Sequence, residues 1–76
     1  MDSAMTTAYL TNEKYGGRLV VMVNGYKYYV VSKHKTSFNA RRQLRRLDNP
    51  AKIRKIGKWW MILQALPRQY QNGRLL

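Results

Sequence analysis

The segment "RLVVMVNGYKYYVV", residues 18–31, constrains the fold more than any other part of the sequence. Two runs rich in β-branched and aromatic residues flank Asn24-Gly25, and this dipeptide favours the type I′ turn of a two-residue hairpin loop. Such a turn sets the register of the two strands. The predicted cross-strand pairs are Val23 with Tyr26, Val21 with Tyr28, and Leu19 with Val30.

The predicted hairpin has two unlike faces, because side chains alternate across a strand. The first face is purely apolar and is predicted to be core; it carries Leu19, Val21, Val23, Tyr26, Tyr28 and Val30. The second face is mixed; it carries Arg18, Val20, Met22, Lys27, Tyr29 and Val31. If a helix covers the apolar face, the mixed face is open to a ligand. A second covered face or a dimer contact is the alternative for the mixed one.

A helix is predicted after the hairpin, from an N-cap at Thr36 or Ser37 to about Asp48, because Asn49-Pro50 stops it. Three apolar residues share one side of this helix at spacings of four and three, namely Ala40, Leu44 and Leu47. Phe38 is expected to close the first turn against the sheet. The outer arc then carries Arg41, Arg42, Arg45 and Arg46.

The segment "AKIRKIGKWWMILQALP" favours one or two further strands by its β-branched and aromatic content, with Gly57 at a turn or bulge between them. A short buried helix over residues 59–66 is the competing interpretation. Pro67 ends the element in either case. In a strand, Trp59 and Trp60 point to opposite sides, so one ring belongs to the core and the other anchors a partner or lies under the C-terminal tail.

Together these elements predict a small α+β fold, with an N-terminal β-hairpin followed by one helix and one or two further β-strands (ββαβ-like). The predicted organisation is a partly flexible N-terminal segment at 1–17, a compact basic domain at 18–66 and a tail at 67–76. The first of these contains "TTAYLT", a weak strand candidate that "YGG" terminates.

Charge is the strongest global signal, since the chain has 15 lysines and arginines but only 3 acidic residues, for a net charge of +12. Such an excess opposes folding through self-repulsion and is typical of a chain with a negatively charged partner. The candidate partners are nucleic acid, an acidic protein surface and an anionic membrane. The membrane is disfavoured because the predicted helix has only a narrow apolar stripe.

The composition argues against catalysis and against bound metals. The chain has no cysteine, one histidine and three carboxylates, so disulfides, cysteine zinc sites and paired-carboxylate chemistry have too few ligands or none. We therefore predict no enzyme activity, no metal and no cofactor. The longest apolar run, residues 59–63, is too short to span a bilayer, and the N-terminus lacks a signal-peptide pattern. The expected location is cytoplasmic or nucleoid-associated, not secreted.

Basic residues concentrate between Lys33 and Lys58, where ten of them accompany a single acid, Asp48. A solvated charged face is the bland interpretation, but ordinary faces mix both signs. Arginine binds phosphates and guanine edges bidentately, and a free helix start near Thr36 offers a second phosphate site. The predicted nucleic-acid contacts are Arg41, Arg42, Arg45, Arg46, Lys33, Lys35, Lys27, Tyr29, Lys52, Arg54, Lys55 and Lys58.

The leading hypothesis is therefore a non-enzymatic nucleic-acid-binding protein with an accessory or regulatory role, such as transcription regulation. Its size and basicity are typical of phage-like accessory proteins. Duplex DNA is favoured over RNA, and the protein is expected to be a monomer or a homodimer. The alternative is a small effector that docks on an acidic protein surface, with hot spots at Trp59, Trp60 or Tyr70 rather than at the arginines.

Overall fold

Within residues 8–71, five antiparallel strands form one sheet, and a single short α-helix packs against it. The structure is a computed structural model that describes residues 8–71. The elements in chain order are β1 (Ala8–Tyr15), β2 (Arg18–Val23), β3 (Tyr26–His34), α1 (Ser37–Leu44), β4 (Lys52–Ile56), β5 (Trp59–Ala65) and a 3₁₀ helix (Arg68–Tyr70). The strand order across the sheet is β1-β2-β3-β5-β4.

The predicted ββαβ-like α+β fold is wrong, because the described part of the chain is a β-rich fold with one short α-helix. The weak strand candidate near the N-terminus is a full edge strand, β1, and the segment after the helix forms two strands rather than a helix. Because the polar residues of β1 lie at an edge of the sheet, the pattern of this strand carries little signal. The sheet therefore has more strands than the hairpin pattern indicated.

Tight turns with glycine in the left-handed region set the strand pairing. Asn24 and Gly25 have φ values of 51° and 83°, as a type I′ turn requires, and the predicted pairs Val23 with Tyr26 and Val21 with Tyr28 are present. Gly57, with φ 65°, joins β4 to β5 at the predicted turn. These turns could be predicted because each depends on two or three adjacent residues.

The sheet has two faces, which we name by what packs on them. Residues paired directly across strands share a face. The helix face carries Val20, Tyr29, His34, Ile53, Trp60 and Ile62, and α1 contacts β3, β4 and β5 on this side. The opposite face carries Val21, Val23, Tyr28, Met61, Leu63 and Trp59. The helix therefore does not cover the purely apolar side of the hairpin.

Core residues lie on both faces of the sheet. On the opposite face a cluster of Val21, Val23, Met61 and Leu63 is buried, with Tyr28, Val30 and Trp59 packed against it. On the helix face Val20, Ile62 and the helical Ala40 are all fully buried. The outer members of the apolar side, Leu19 and Tyr26, stay exposed because they lie near the ends of the hairpin strands.

Helix α1 begins as predicted and ends earlier than predicted. The Thr36 hydroxyl caps it by accepting a hydrogen bond from the Asn39 N–H at 3.2 Å. The α-helix stops at Leu44, and two 3₁₀-type hydrogen bonds continue the chain to residue 47. Like-charged arginines at i, i+4 weaken the last turn. Pro50 in addition disfavours helical backbone at the residue before it.

The chain after β5 returns to the start of β3. The Gln71 side chain accepts a hydrogen bond from the Lys27 N–H at 2.8 Å and donates to the Lys27 carbonyl at 3.0 Å and the Leu66 carbonyl at 2.9 Å. Its amide thus pairs with β3 as another strand would. The predicted flexible beginning of segment 1–17 and the end of the predicted tail 67–76 lie outside the described residues.

The α1 helix is too short to cross a lipid bilayer, and residues 8–71 contain no other helix with the length and apolar composition to do so.

Candidate nucleic-acid interface

The four helix arginines all lie on the solvent side of α1 and of the turn that follows it. Their side chains are exposed, whereas Ala40 on the inner side of the helix is buried against the sheet. Within residues 8–71 none of the four forms an ion pair with a carboxylate. Positive charge at the C-terminal end of a helix interacts favourably with the helix dipole, which offsets part of the arginine repulsion. The arc therefore presents uncompensated guanidinium groups.

A concave site of about 220 Å³ lies between α1 and the end of β3. Its lining consists of hydrogen-bonding side chains only, from His34, Asn39, Arg42, Gln43 and Arg46. The His34 imidazole is held by a 2.9 Å hydrogen bond to the Ser32 hydroxyl. Two guanidinium groups, an imidazole and two amides around one concavity are donors suited to an oxyanion such as a phosphate.

Phe38 lies on the exposed side of the helix rather than against the sheet. It is 67% exposed, contrary to the expectation that it closes the first helical turn. The Arg42 guanidinium lies 5.8 Å from the centre of its ring. The helix thus presents an apolar ring next to one of the two arginines of the concave site, a combination that suits a base edge or a thymine methyl group.

Further predicted contacts lie beside the helix or on its side of the sheet. Lys35 is exposed just before the N-cap, and Lys58 is exposed in the turn between β4 and β5. Lys55 is on the helix face, with its ammonium 5.7 Å from the centre of the Trp60 ring. Trp60 pairs with His34 and Lys55 on the helix face, whereas Trp59 packs against the core cluster of the opposite face, so their predicted separation across the strand is confirmed. Both rings are partly buried.

Three other predicted contacts lie on the opposite face. The Lys33 ammonium is 4.8 Å from the centre of the Trp59 ring, and the Lys52 ammonium is 4.8 Å from the centre of the Tyr28 ring. Arg54 is partly buried there, and its Nε has no hydrogen-bond partner among the described residues. The predicted set of contacts is therefore divided between two sides of the sheet.

Two of the predicted contacts are engaged inside the protein. Lys27 is only 7% exposed, and its ammonium lies 3.1 Å from a Glu13 carboxylate oxygen. The Tyr29 hydroxyl donates a hydrogen bond to the Gln64 side-chain oxygen, and its ring contacts Tyr15 at a centroid distance of 5.5 Å. A lysine buried in an ion pair is a poor phosphate ligand, so Lys27 does not belong to the candidate interface.

Two residues of the concave site, Asn39 and Gln43, could not be identified from the sequence. Asn39 and Gln43 line the concave site, yet polar residues on a helix carry no signal by themselves. The only available hint was their interleaving with Arg42 and Arg46 at helical spacing. Residues 8–71 hold no cluster of three metal-ligating side chains.

Comparison with known proteins found no protein family, curated protein or solved structure that matches the chain.

Proposed function

We propose that this protein binds duplex nucleic acid, with DNA favoured over RNA, through the exposed side of α1. The observation that carries the proposal is the concave site in which Arg42 and Arg46 converge with His34. Phosphate oxygens are the ligands that such a set of charged and polar donors matches best. The protein acts as an accessory or regulatory binder and not as an enzyme.

Charge supports the proposal, because the exposed arginines lack acidic partners within the described residues. Neutralising phosphates with basic side chains releases condensed counterions, and this release supplies most of the non-specific affinity of proteins for nucleic acid. The 15 basic and 3 acidic residues of the chain therefore favour the bound state strongly at low salt.

The shape of the helix supports DNA over RNA. An α-helix with its side chains is roughly 10 to 12 Å across, about the width of the major groove of B-DNA, so the eight-residue α1 can lie in that groove. The major groove of A-form RNA is too deep and narrow for side chains to read. An exposed helix that carries arginines and Phe38 therefore fits the DNA groove, while the concave site holds a backbone phosphate.

Docking on an acidic protein surface is the rival function. It uses the same arginine charge, and the exposed Phe38 suits a protein interface as well as a base edge. The two functions differ in their response to salt and in their need for a helical polyanion. A direct titration with nucleic acid separates them.

The test is a fluorescence-anisotropy titration of labelled duplex DNA of about 20 base pairs at several salt concentrations, with an RNA duplex of the same length alongside. The double variant Arg42→Gln, Arg46→Gln is compared with the control Lys14→Gln, Arg68→Gln, which removes equal charge from exposed positions outside the site. We expect the first variant to bind duplex DNA about tenfold more weakly, or weaker still. Its slope of log affinity against log salt is expected to fall by roughly 0.9 for each phosphate that the variant no longer neutralises.

The control variant is expected to bind only a few-fold more weakly, because it alters the general charge and not the site. Equal effects in both variants would contradict the site. A weak, nearly salt-independent interaction of the unaltered protein with every nucleic acid tested would overturn the proposed function and leave the acidic-protein partner as the better hypothesis.

A further inference from the structure

The opposite face of the sheet carries a second concavity, bordered by tyrosine rings and one lysine rather than by arginines. We propose that the concavity beside Tyr28 binds an unpaired base of single-stranded nucleic acid, with the adjoining phosphate on Lys52. This site lies on the other side of the sheet from α1 and uses none of the helix arginines. The proposal for this site can therefore be tested independently of duplex binding.

The concavity has a volume and a mainly apolar lining that suit an aromatic ligand. Its volume is about 270 Å³, and it is lined by Tyr28, Pro50, Ala51, Lys52, Leu63 and Ala65. Apolar atoms form most of the wall, and the Lys52 ammonium is the one charged group in the lining. Tyr26 extends the aromatic surface, with its ring 5.4 Å from that of Tyr28 in an edge-on arrangement and 47% of the residue exposed.

Lysine ammonium groups already lie where the rings would receive a ligand. Lys52 is 4.8 Å from the centre of the Tyr28 ring, and Lys33 is 4.8 Å from the centre of the Trp59 ring. Both lysines are exposed, and neither forms an ion pair within residues 8–71. A cation–π contact at an exposed site is weaker than base stacking. A base can therefore replace the Lys52 ammonium over the ring.

The displaced ammonium then has a partner within the same ligand. A lysine carries three donors on a flexible stem, so it can move off the ring to the phosphate that adjoins the stacked base. The ligand must be both flat and anionic to use the ring and the charge together. A nucleotide with an unpaired base has both properties, whereas the bases of a duplex are stacked inside the helix and cannot reach the concavity.

The mixed face of the hairpin, which the sequence leaves open either to a ligand or to a covering contact, does not supply this site. Lys27 is buried there in an ion pair, and Tyr29 packs against Tyr15. The apolar pattern predicts Tyr28 to be core. It is only partly buried, so one part of its ring supports Leu63 and the core cluster while another part lines the concavity.

The test compares two single-stranded DNA oligomers of about 12 nucleotides, one of thymidines and one with abasic sugars that keep every phosphate. The unaltered protein is expected to bind the thymidine oligomer roughly fivefold to a hundredfold more tightly, the range typical of one stacked base. The Ala65→Leu variant fills the concavity from an exposed position and is expected to bind the two oligomers equally. Tyr28→Leu is expected to do the same, and Tyr28→Phe should retain the preference because it keeps the ring.

Lysine variants complete the test at equal net charge. Lys52→Gln is expected to weaken thymidine binding several-fold more than Lys14→Gln, an exposed lysine on β1. No preference for the thymidine oligomer over the abasic one would overturn the proposal, as would an unchanged preference in Ala65→Leu. If the unaltered protein fails to bind duplex DNA but keeps its preference for the thymidine oligomer, this inference is intact and the result counts against the proposed function only. Binding of acidic peptides with aromatic residues in preference to thymidine would assign the concavity to a protein ligand instead.

Discussion

The two faces of the sheet carry positive charge in different ways. On the helix face, arginines project from α1 into solvent, and two of them border a concave site with His34. On the opposite face, lysines lie over the rings of Tyr28 and Trp59. The two binding proposals therefore rest on different side chains: planar guanidinium groups suited to phosphates on the helix face, and aromatic rings with lysine ammonium groups over them on the opposite face.

Both faces also contribute to the stability of the fold, because both contain core residues. A sheet with one helix would ordinarily bury a single face and leave the other to water. Here neighbouring residues of β2, Val20 and Val21, point to opposite faces and both have 0% exposure. The two proposed binding surfaces are therefore made by residues that surround two small cores.

The largest expected effect tests whether both faces are core. Val20→Ala and Val21→Ala should each lower the free energy of unfolding by about 2 kcal/mol, because each removes two buried methyl groups and leaves a cavity. The measurement is urea denaturation followed by circular dichroism. Leu19→Ala, at a partly exposed position of the same strand, is the control and should cost less.

A destabilisation below about 0.5 kcal/mol for Val21→Ala, the range of ordinary surface substitutions, would contradict a core on the opposite face. The comparison would then reduce to one buried face and one exposed face.

The second prediction exchanges the two kinds of cation. The double variant Arg42→Lys, Arg46→Lys keeps the charge but removes the guanidinium groups that bind a phosphate bidentately. Duplex affinity is therefore expected to fall about three- to tenfold, while the slope of log affinity against log salt stays unchanged. Isothermal titration at two salt concentrations measures both quantities. The reciprocal variant, Lys33→Arg with Lys52→Arg, should leave duplex affinity nearly unchanged.

An unchanged affinity after the arginine-to-lysine exchange would mean that the helix face acts through charge alone. The distinction between the faces would then be one of position and not of chemistry.

The smallest expected effect concerns the helix cap. Thr36→Ala removes the hydroxyl that accepts from the Asn39 N–H and should lower stability by about 0.5 to 1 kcal/mol, measured by thermal unfolding. Duplex binding should weaken slightly because the arginines depend on an ordered α1. The base preference in single-stranded binding should be unaffected, because its concavity lies on the opposite face.

Thr36→Ser keeps the hydroxyl and serves as the matched control. If serine destabilises the protein as much as alanine does, the cap is not the cause. If both binding activities change together, the two faces are coupled rather than independent.

The candidate site was only partly predictable from the sequence. The arginine arc could be predicted because helical spacing separates Ala40 from the arginines within a single turn. The concave site could not be predicted. His34 comes from β3, and it lies beside the helix residues only because of the position in which α1 packs on the sheet. The burial of Lys27 could not be predicted from the sequence either, since its partner Glu13 lies on β1, two strands away from β3 in the sheet.

The sequence by itself determined the features that depend on adjacent residues. Asn24-Gly25 set the hairpin register, Gly57 marked the turn between β4 and β5, and Thr36 marked the start of α1. Each of these signals arises from local backbone preference or from one short-range hydrogen bond. Their reliability does not depend on the rest of the fold.

Only the tertiary structure decided which residues meet. Alternation along a strand defines two faces, but it does not say which of them the helix covers, and α1 covers the one that looked mixed. The same holds for β1, whose polar sequence becomes a strand only through pairing with β2. The physical reason is that burial depends on contacts between residues far apart in sequence, so Tyr28 and Tyr29, adjacent in the chain, have different surroundings.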